Sequence, residues 1–260
     1  MTTKELDVYF KGILDIDAFN NADTSLNGIQ VDNDGAPVKK IAFAVDACAE
    51  SFERSVSNDG ASAASAAGML FVHHGLFWGH PEPVGGVLRS RLSFLLKHNI
   101  ALYACHLPLD ANPVFGHNAE LARLLGIQHP EPFGLFHGKK IGFKGNLEKP
   151  LTVNEAAQKI AWKGLPPIGI FPFGKERNET CAVISGGAAM EAREALDEGI
   201  DLYVTGESSH SVYHIAEEGG LNMVCGGHYA TEVWGLLALA QKCRQDLNIE
   251  VEFIDIPTGL

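Results

Sequence analysis

Residues 69–75 read MLFVHHG: four apolar residues in a row, two histidines, then a glycine. A short, continuous apolar run of this kind reads as a strand covered on both faces, as in a parallel sheet. The same design recurs along the chain. IAFAVDA at 41–47, IALYACHLPLDAN at 100–112, CAVISGG at 181–187, LYVTGE at 202–207 and NMVCGGHYATE at 222–232 each pass from an apolar run into a polar cluster.

The pattern predicts strands at 41–45, 69–72, 100–105, 141–144, 182–185, 202–205, 222–225 and 249–254. Helical periodicity falls between them, near 88–97, 119–125, 153–161, 188–198, 212–218 and 231–245. Such alternation predicts an α/β fold with mostly parallel sheets. Three strands of the first part match three of the second, each ending in a corresponding polar cluster. We therefore expect two similar α/β/α layered halves. The first spans 1–127 and is completed by 226–260; the second spans 128–225. The stretch 128–177 stands apart, with Pro130, Pro132, Pro150, Pro166, Pro167 and Pro172 and the segments GLFHGKKIGFKGN and IGIFPFGK. It either forms a projecting hairpin or subunit contact, or packs its aromatics locally.

In open α/β sheets, ligands bind beyond the carboxyl ends of the strands. His73, His74, Asp110, His228 and Glu232 all fall there. Imidazoles suit zinc, iron and their neighbours, and carboxylates can bridge two ions, so the set suits two divalent metals. Each member alone has a plainer reading. His73 and His74 could be a loop pair, Asp110 a turn or cap residue, and His228 with Glu232 a surface i,i+4 pair. Strand side chains alternate, so both histidines point inward only if a turn begins there, which Gly75 permits. His228 and Glu232 open the last long helix on one face. His106, Glu207 and His210 are titratable neighbours that could act as general acids and bases, or brace the ligands or cap a helix. SGGAA at 185–189 lacks a Walker lysine and is weak as a nucleotide-phosphate motif.

The chain has 260 residues, 46% hydrophobic and 20% charged, with a formal net charge of −12. Its only basic runs are the pairs Lys39-Lys40 and Lys139-Lys140. That excludes the basic stripe of a duplex binder. Five cysteines without a CxxC spacing read as reduced thiols. The amphipathic N-terminus lacks a signal-peptide core, and no apolar run approaches the ~20 residues of a membrane span. A cytoplasmic protein with no membrane partner is expected.

Six segments carry a resemblance when taken together: SLNGIQV at 25–31, FVHHGLFW at 71–78, HLPLDAN at 106–112, AVISGG at 182–187, VTGESSH at 204–210 and GGHYATE at 226–232. Nearly end to end, the chain resembles the dinuclear metal-centre proteins known as GTP cyclohydrolase 1 type 2 homologues, the NIF-three-like or YbgI-type family. Gly68-Met69 departs from an Asp-Leu type pair, and DGASAASAA at 59–67 is longer and richer in Ala and Ser than the family pattern. The resemblance implies two divalent ions per chain, in the crevice between the halves; His/carboxylate sets accept zinc, iron, manganese, cobalt or nickel, and the metal's identity stays open. His74, Asp110 and Glu232 would hold one ion; His73, His228 and Glu232 would hold the other. It also implies a ring-shaped homohexamer. The implied activity is a hydrolase acting on a small nucleotide-like substrate, possibly GTP, through a metal-bound hydroxide. Glu207, His106 and His210 would move protons. A metal-binding or trafficking protein, or a ring-shaped scaffold without catalysis, are the alternatives.

Overall fold

The computed structural model describes residues 1–56 and 67–260. The Ala/Ser-rich stretch 59–66 lies outside the described residues. In chain order the strands are β1 (Gly28–Val31), β2 (Lys40–Asp46), β3 (Met69–His74), β4 (Ala101–Ala104), β5 (Ile127–Phe136), β6 (Lys139–Leu151), β7 (Gly169–Pro172), β8 (Asn178–Ile184), β9 (Leu202–Thr205), β10 (Asn222–Cys225) and β11 (Glu250–Phe253). The helices are α1 (Thr3–Leu14), α2 (Ala49–Val56), α3 (Gly86–His98), α4 (Leu107–Ala111), α5 (His117–Leu125), α6 (Val153–Ile160), α7 (Ala192–Asp197), α8 (His210–Gly219), α9 (His228–Thr231) and α10 (Trp234–Leu247). The chain divides into two compact units. Met1–Leu109 with Leu236–Ile256 form the first, and Asp110–Gly235 with Pro257–Leu260 the second.

The first unit holds a sheet of order β1-β4-β3-β2-β11. All its pairings are parallel except β1 against β4. Its central strands are apolar on both faces because both are covered. Ala42, Ala44, Leu70, Val72, Leu102 and Ala104 face one core with Phe52 and Leu95. Of the alternate residues, Phe71 and Tyr103 meet Phe10 of α1 and Phe43 meets Phe71, with ring centroids 4.8–5.3 Å apart. Helix α1 is set by a capping box in which Thr2 and Glu5 satisfy each other's backbone amides. Its buried positions Leu6, Phe10 and Leu14 repeat every four residues and so form one face.

The second unit holds a sheet of order β5-β6-β8-β9-β10-β7. Strands β8, β9 and β10 are parallel neighbours, flanked by the antiparallel hairpin β5–β6 and by antiparallel β7. Helices α5 and α6 cover one face through Leu121, Leu125, Ala156 and Ile160, packed on Phe143, Val183 and Val204. The internal repeat is therefore topological. Each unit has three parallel strands in chain order, with an antiparallel edge strand against the third. The units differ at the first strand, which pairs with parallel β11 in one and with antiparallel β6 in the other.

Three strands escape the sequence pattern, and all three are edges: β1, β5 and β7. An edge strand needs no unbroken apolar run, and it tolerates proline where no ladder donor is required. Pro130 and Pro132 sit on β5 for this reason, so the Pro-rich segment contains a hairpin. The last long helix also starts later than expected. A single turn, α9, carries His228, and α10 begins at Trp234. Among the described residues, no helix is long and apolar enough to cross a membrane.

Candidate metal centre

In the first unit, β3 and β4 end side by side, and three imidazoles gather there: His73 and His74 as the last residues of β3, and His106 just after β4. The strand does not turn at His73 as the alternation argument requires. His74 is still in register with Asp46 of β2. The His73 and His74 rings nonetheless lie 4.6 Å apart, and the His106 ring is 5.0 Å from the first and 5.7 Å from the second. One ring nitrogen of each can be chosen so that all three lie within 4.8 Å of one another. This trio could hold a metal ion.

Each ring is braced at Nδ1. His73 Nδ1 donates to the Cys105 carbonyl at 3.1 Å, His74 Nδ1 to Asp46 at 2.8 Å and His106 Nδ1 to Asp23 at 2.9 Å. A proton held on Nδ1 leaves the lone pair on Nε2, which is how proteins orient metal-binding imidazoles. His73 is fully buried, so it is held by the fold rather than by solvent. Asp23 does more than brace one ring. It accepts from the amides of Ser25 and Leu107 and from the Asn27 side chain, while Asn27 accepts from the amide of His106. Burial pushes the Asp23 carboxyl up, but His106, Asn27 and Ser25 outweigh it, and the group ends below its ordinary value.

In the second unit the cluster is acidic and built from turns. His228 lies between two carboxylates, with Nδ1 2.6 Å from Glu207 and Nε2 3.1 Å from Glu232. Burial opposes charging this ring, but Glu232 and then Glu207 overcome it and raise its pKa to about 10. In this arrangement the imidazole is protonated at neutral pH. Coordination through Nε2 requires that proton to leave. Asp110 accepts from Ser185 Oγ at 2.8 Å. Asp110 and Glu232 are only 5% and 3% exposed. Carboxylates so deep in a fold are paired or bind metal.

Glycines let the backbone reach these groups. A Cβ on Gly186 would stand 2.3 Å from Glu232 Oε1 and 3.2 Å from His228 Nε2, and its φ of +64° also suits glycine. The Gly186 carbonyl accepts from the amides of Gly206 and Glu207, and the Gly206 carbonyl from that of Gly227. The ends of β8, β9 and β10 are thus stitched into one platform. Thr231 Oγ1 accepts from Gly186 N.

The donor types therefore fit divalent metal in both units: imidazoles in one, buried carboxylates with an imidazole in the other. Of the sequence-predicted residues, His73, His74 and His106 converge, as do Glu207, His228 and Glu232. Asp110 stands beside Ser185. His210 opens α8 and has an edge-on ring contact with His214 at 6.4 Å. The sequence pattern does not mark the braces Asp23 and Ser185. Asp46 had a visible signal, since it ends β2 as the histidines end β3.

A family model described as Duf34/NIF3 (NGG1p interacting factor 3) matches residues 1–259. The chain belongs to the Duf34/NIF3 family. Two relatives, each matched over 100% of both chains, are described as GTP cyclohydrolase 1 type 2 homologs. One, from Archaeoglobus fulgidus, is 42% identical, and the other, from Treponema pallidum, is 41% identical. A solved structure described as protein ybgI, of unknown function, matches 100% of both chains with a TM-score of 0.88 and 34% identity. The Duf34/NIF3 fold thus accounts for the whole chain.

Proposed function

We propose that this protein is a dinuclear metal-dependent hydrolase, cyclohydrolase-like as its relatives' names suggest, acting on a small nucleotide-like substrate such as GTP. The observation that carries this reading is the trio of imidazoles at the β3 and β4 ends, each braced at Nδ1. In this reading His74, Asp110 and Glu232 hold one ion, and His73, His228 and Glu232 the other. Bound ions would acidify water and polarise an electrophilic atom of the substrate. Asp46 and the Cys105 carbonyl orient His74 and His73, and Glu207 orients His228. His106 faces the same two rings and can carry a proton, with Glu207 and His210 as further candidates for proton transfer. We further propose a cytoplasmic homohexameric ring.

The test is metal content per chain on untagged protein, paired with GTP turnover before chelation, after it, and after metal is restored. About two ions per chain with chelator-sensitive turnover is the expected result. Two ions without turnover would remove the cyclohydrolase reading and favour a trafficking or scaffold role. Protein that neither contains nor takes up metal would overturn the proposal.

A further inference from the structure

Beside the imidazole trio, the first unit has an open cleft of about 710 Å³ between the loop holding Asn20–Asn27 and the segment Phe77–Pro81. That is the size of a small-molecule site. Its chemistry selects a ligand. No lysine or arginine is among the described residues lining it. The carboxylate in its wall, Asp23, is already committed to His106, Ser25, Asn27 and Leu107. Phosphates are held best by cations or a helix N-terminus, and the wall gives them no lysine or arginine. The wall also carries the His80 imidazole, 3.6 Å from Glu82, and its other polar groups are neutral. Asn20 brings a side-chain amide that both donates and accepts, and Thr24 a hydroxyl. The Ser25 hydroxyl is buried in the wall without a hydrogen-bond partner among the described residues. Apolar surface lines the same cleft, from Phe77, Pro81 and Leu26, the last of them 52% exposed. A flat ring covering that surface would release water from it.

The cleft is coupled to the metal candidates by two contacts. Asp23 both walls the cleft and holds the His106 ring. Trp78, next in sequence to Phe77, packs edge-on against His106 at 5.0 Å.

We propose that this cleft binds an uncharged, flat heterocycle of nucleobase type and presents whatever is attached to it toward His73, His74 and His106. The inference rests on the hydrolase reading only for what is attached; the cleft binds the heterocycle with or without chemistry.

The test uses the full chain. Inosine and cytidine, which lack phosphate, are titrated calorimetrically, with inorganic triphosphate as a probe lacking a base. At least one nucleoside is expected to bind, in metal-loaded and chelated protein alike. Asn20→Ala with Thr24→Ala should weaken it about tenfold, as expected for the loss of one or two hydrogen bonds. The same variant should leave the unfolding midpoint and triphosphate binding unchanged. Failure of both nucleosides at millimolar concentration would overturn the proposal, as would a variant that binds like the parent. Nucleoside binding without GTP turnover would sink the hydrolase reading and keep the cleft. Turnover with an unchanged KM in the variant would do the reverse.

Discussion

The two units carry the same strand plan but hold their functional groups in opposite ways. In the first, the groups are imidazoles on the ends of buried strands, braced by groups on neighbouring strands and loops. In the second they are mostly carboxylates: Asp110 on the short helix α4, Glu207 on a turn after β9 and Glu232 at the end of the single helical turn α9, beside His228. The first cluster owes its geometry to core packing behind it, while the second owes its geometry to backbone approach, which glycine alone permits. The difference teaches where each should fail: the first with its core, the second with a single methyl group.

The largest effect should come from Phe71→Ala. Phe71 is fully buried two residues before His73 and contacts Phe10, Phe43 and Tyr103. Removing a core aromatic costs about 3–5 kcal/mol, read as a lowered midpoint in denaturant. Gly186→Ala should cost less, about 1–3 kcal/mol, from a crowded Cβ and a left-handed backbone. It should also cut metal content sharply, since the new Cβ would lie against Glu232 and His228. Gly186→Ala protein with full metal content would break the comparison, because the second cluster would then owe nothing to close backbone approach.

Exchanging the outer carboxylates sharpens it. Asp46→Asn and Glu207→Gln each leave an oxygen but remove the charge that holds His74 or His228. Loss of such braces typically weakens metal binding 10–100-fold. Both variants should show this in chelator competition, at near-native stability. A Glu207→Gln protein with parental metal affinity and lost turnover would make Glu207 a proton carrier rather than a brace.

How much of this was legible in the sequence follows from the same physics. Strands buried on both faces announce themselves as apolar runs, so β2, β3, β4, β8, β9 and β10 were found, together with the polar clusters that end them. Edge strands β1, β5 and β7 lack that constraint and leave no such mark. The histidines and carboxylates stood out because they follow the runs directly. Their braces did not. Asp23 meets His106 across 83 residues of sequence, and Ser185 meets Asp110 across 75. Such pairs exist only once the sheets are formed. The break at Glu232 between α9 and α10 was hidden, because apolar periodicity runs through it while Gly235 packs against His117, whose Nδ1 accepts the Gly235 amide.

The remaining expected effect concerns acid. Each unit contains a carboxylate that stitches loops and is held below its ordinary value. In the first it is Asp23. In the second it is Asp201, where burial pushes the carboxyl up but Lys175 and the amides of Glu179 and Thr180 outweigh it. A carboxyl lowered in the fold stabilises it above the ordinary carboxylate range, and that stabilisation is lost as pH falls through the lowered native value. Asp23→Asn and Asp201→Asn should therefore destabilise at neutral pH and converge with the parent in strong acid. Hydrogen bonds to a charged group are worth about 1.5–3 kcal/mol when buried. Asp23, whose side chain is 1% exposed, should reach that range, and Asp201, at 18%, should fall short of it. Denaturant midpoints measured across acidic pH decide the matter. Equal losses for the two variants would mean that solvent exposure, rather than the bonding pattern, counts for little at these sites, and a gap that widens toward low pH would reverse the sign argued here.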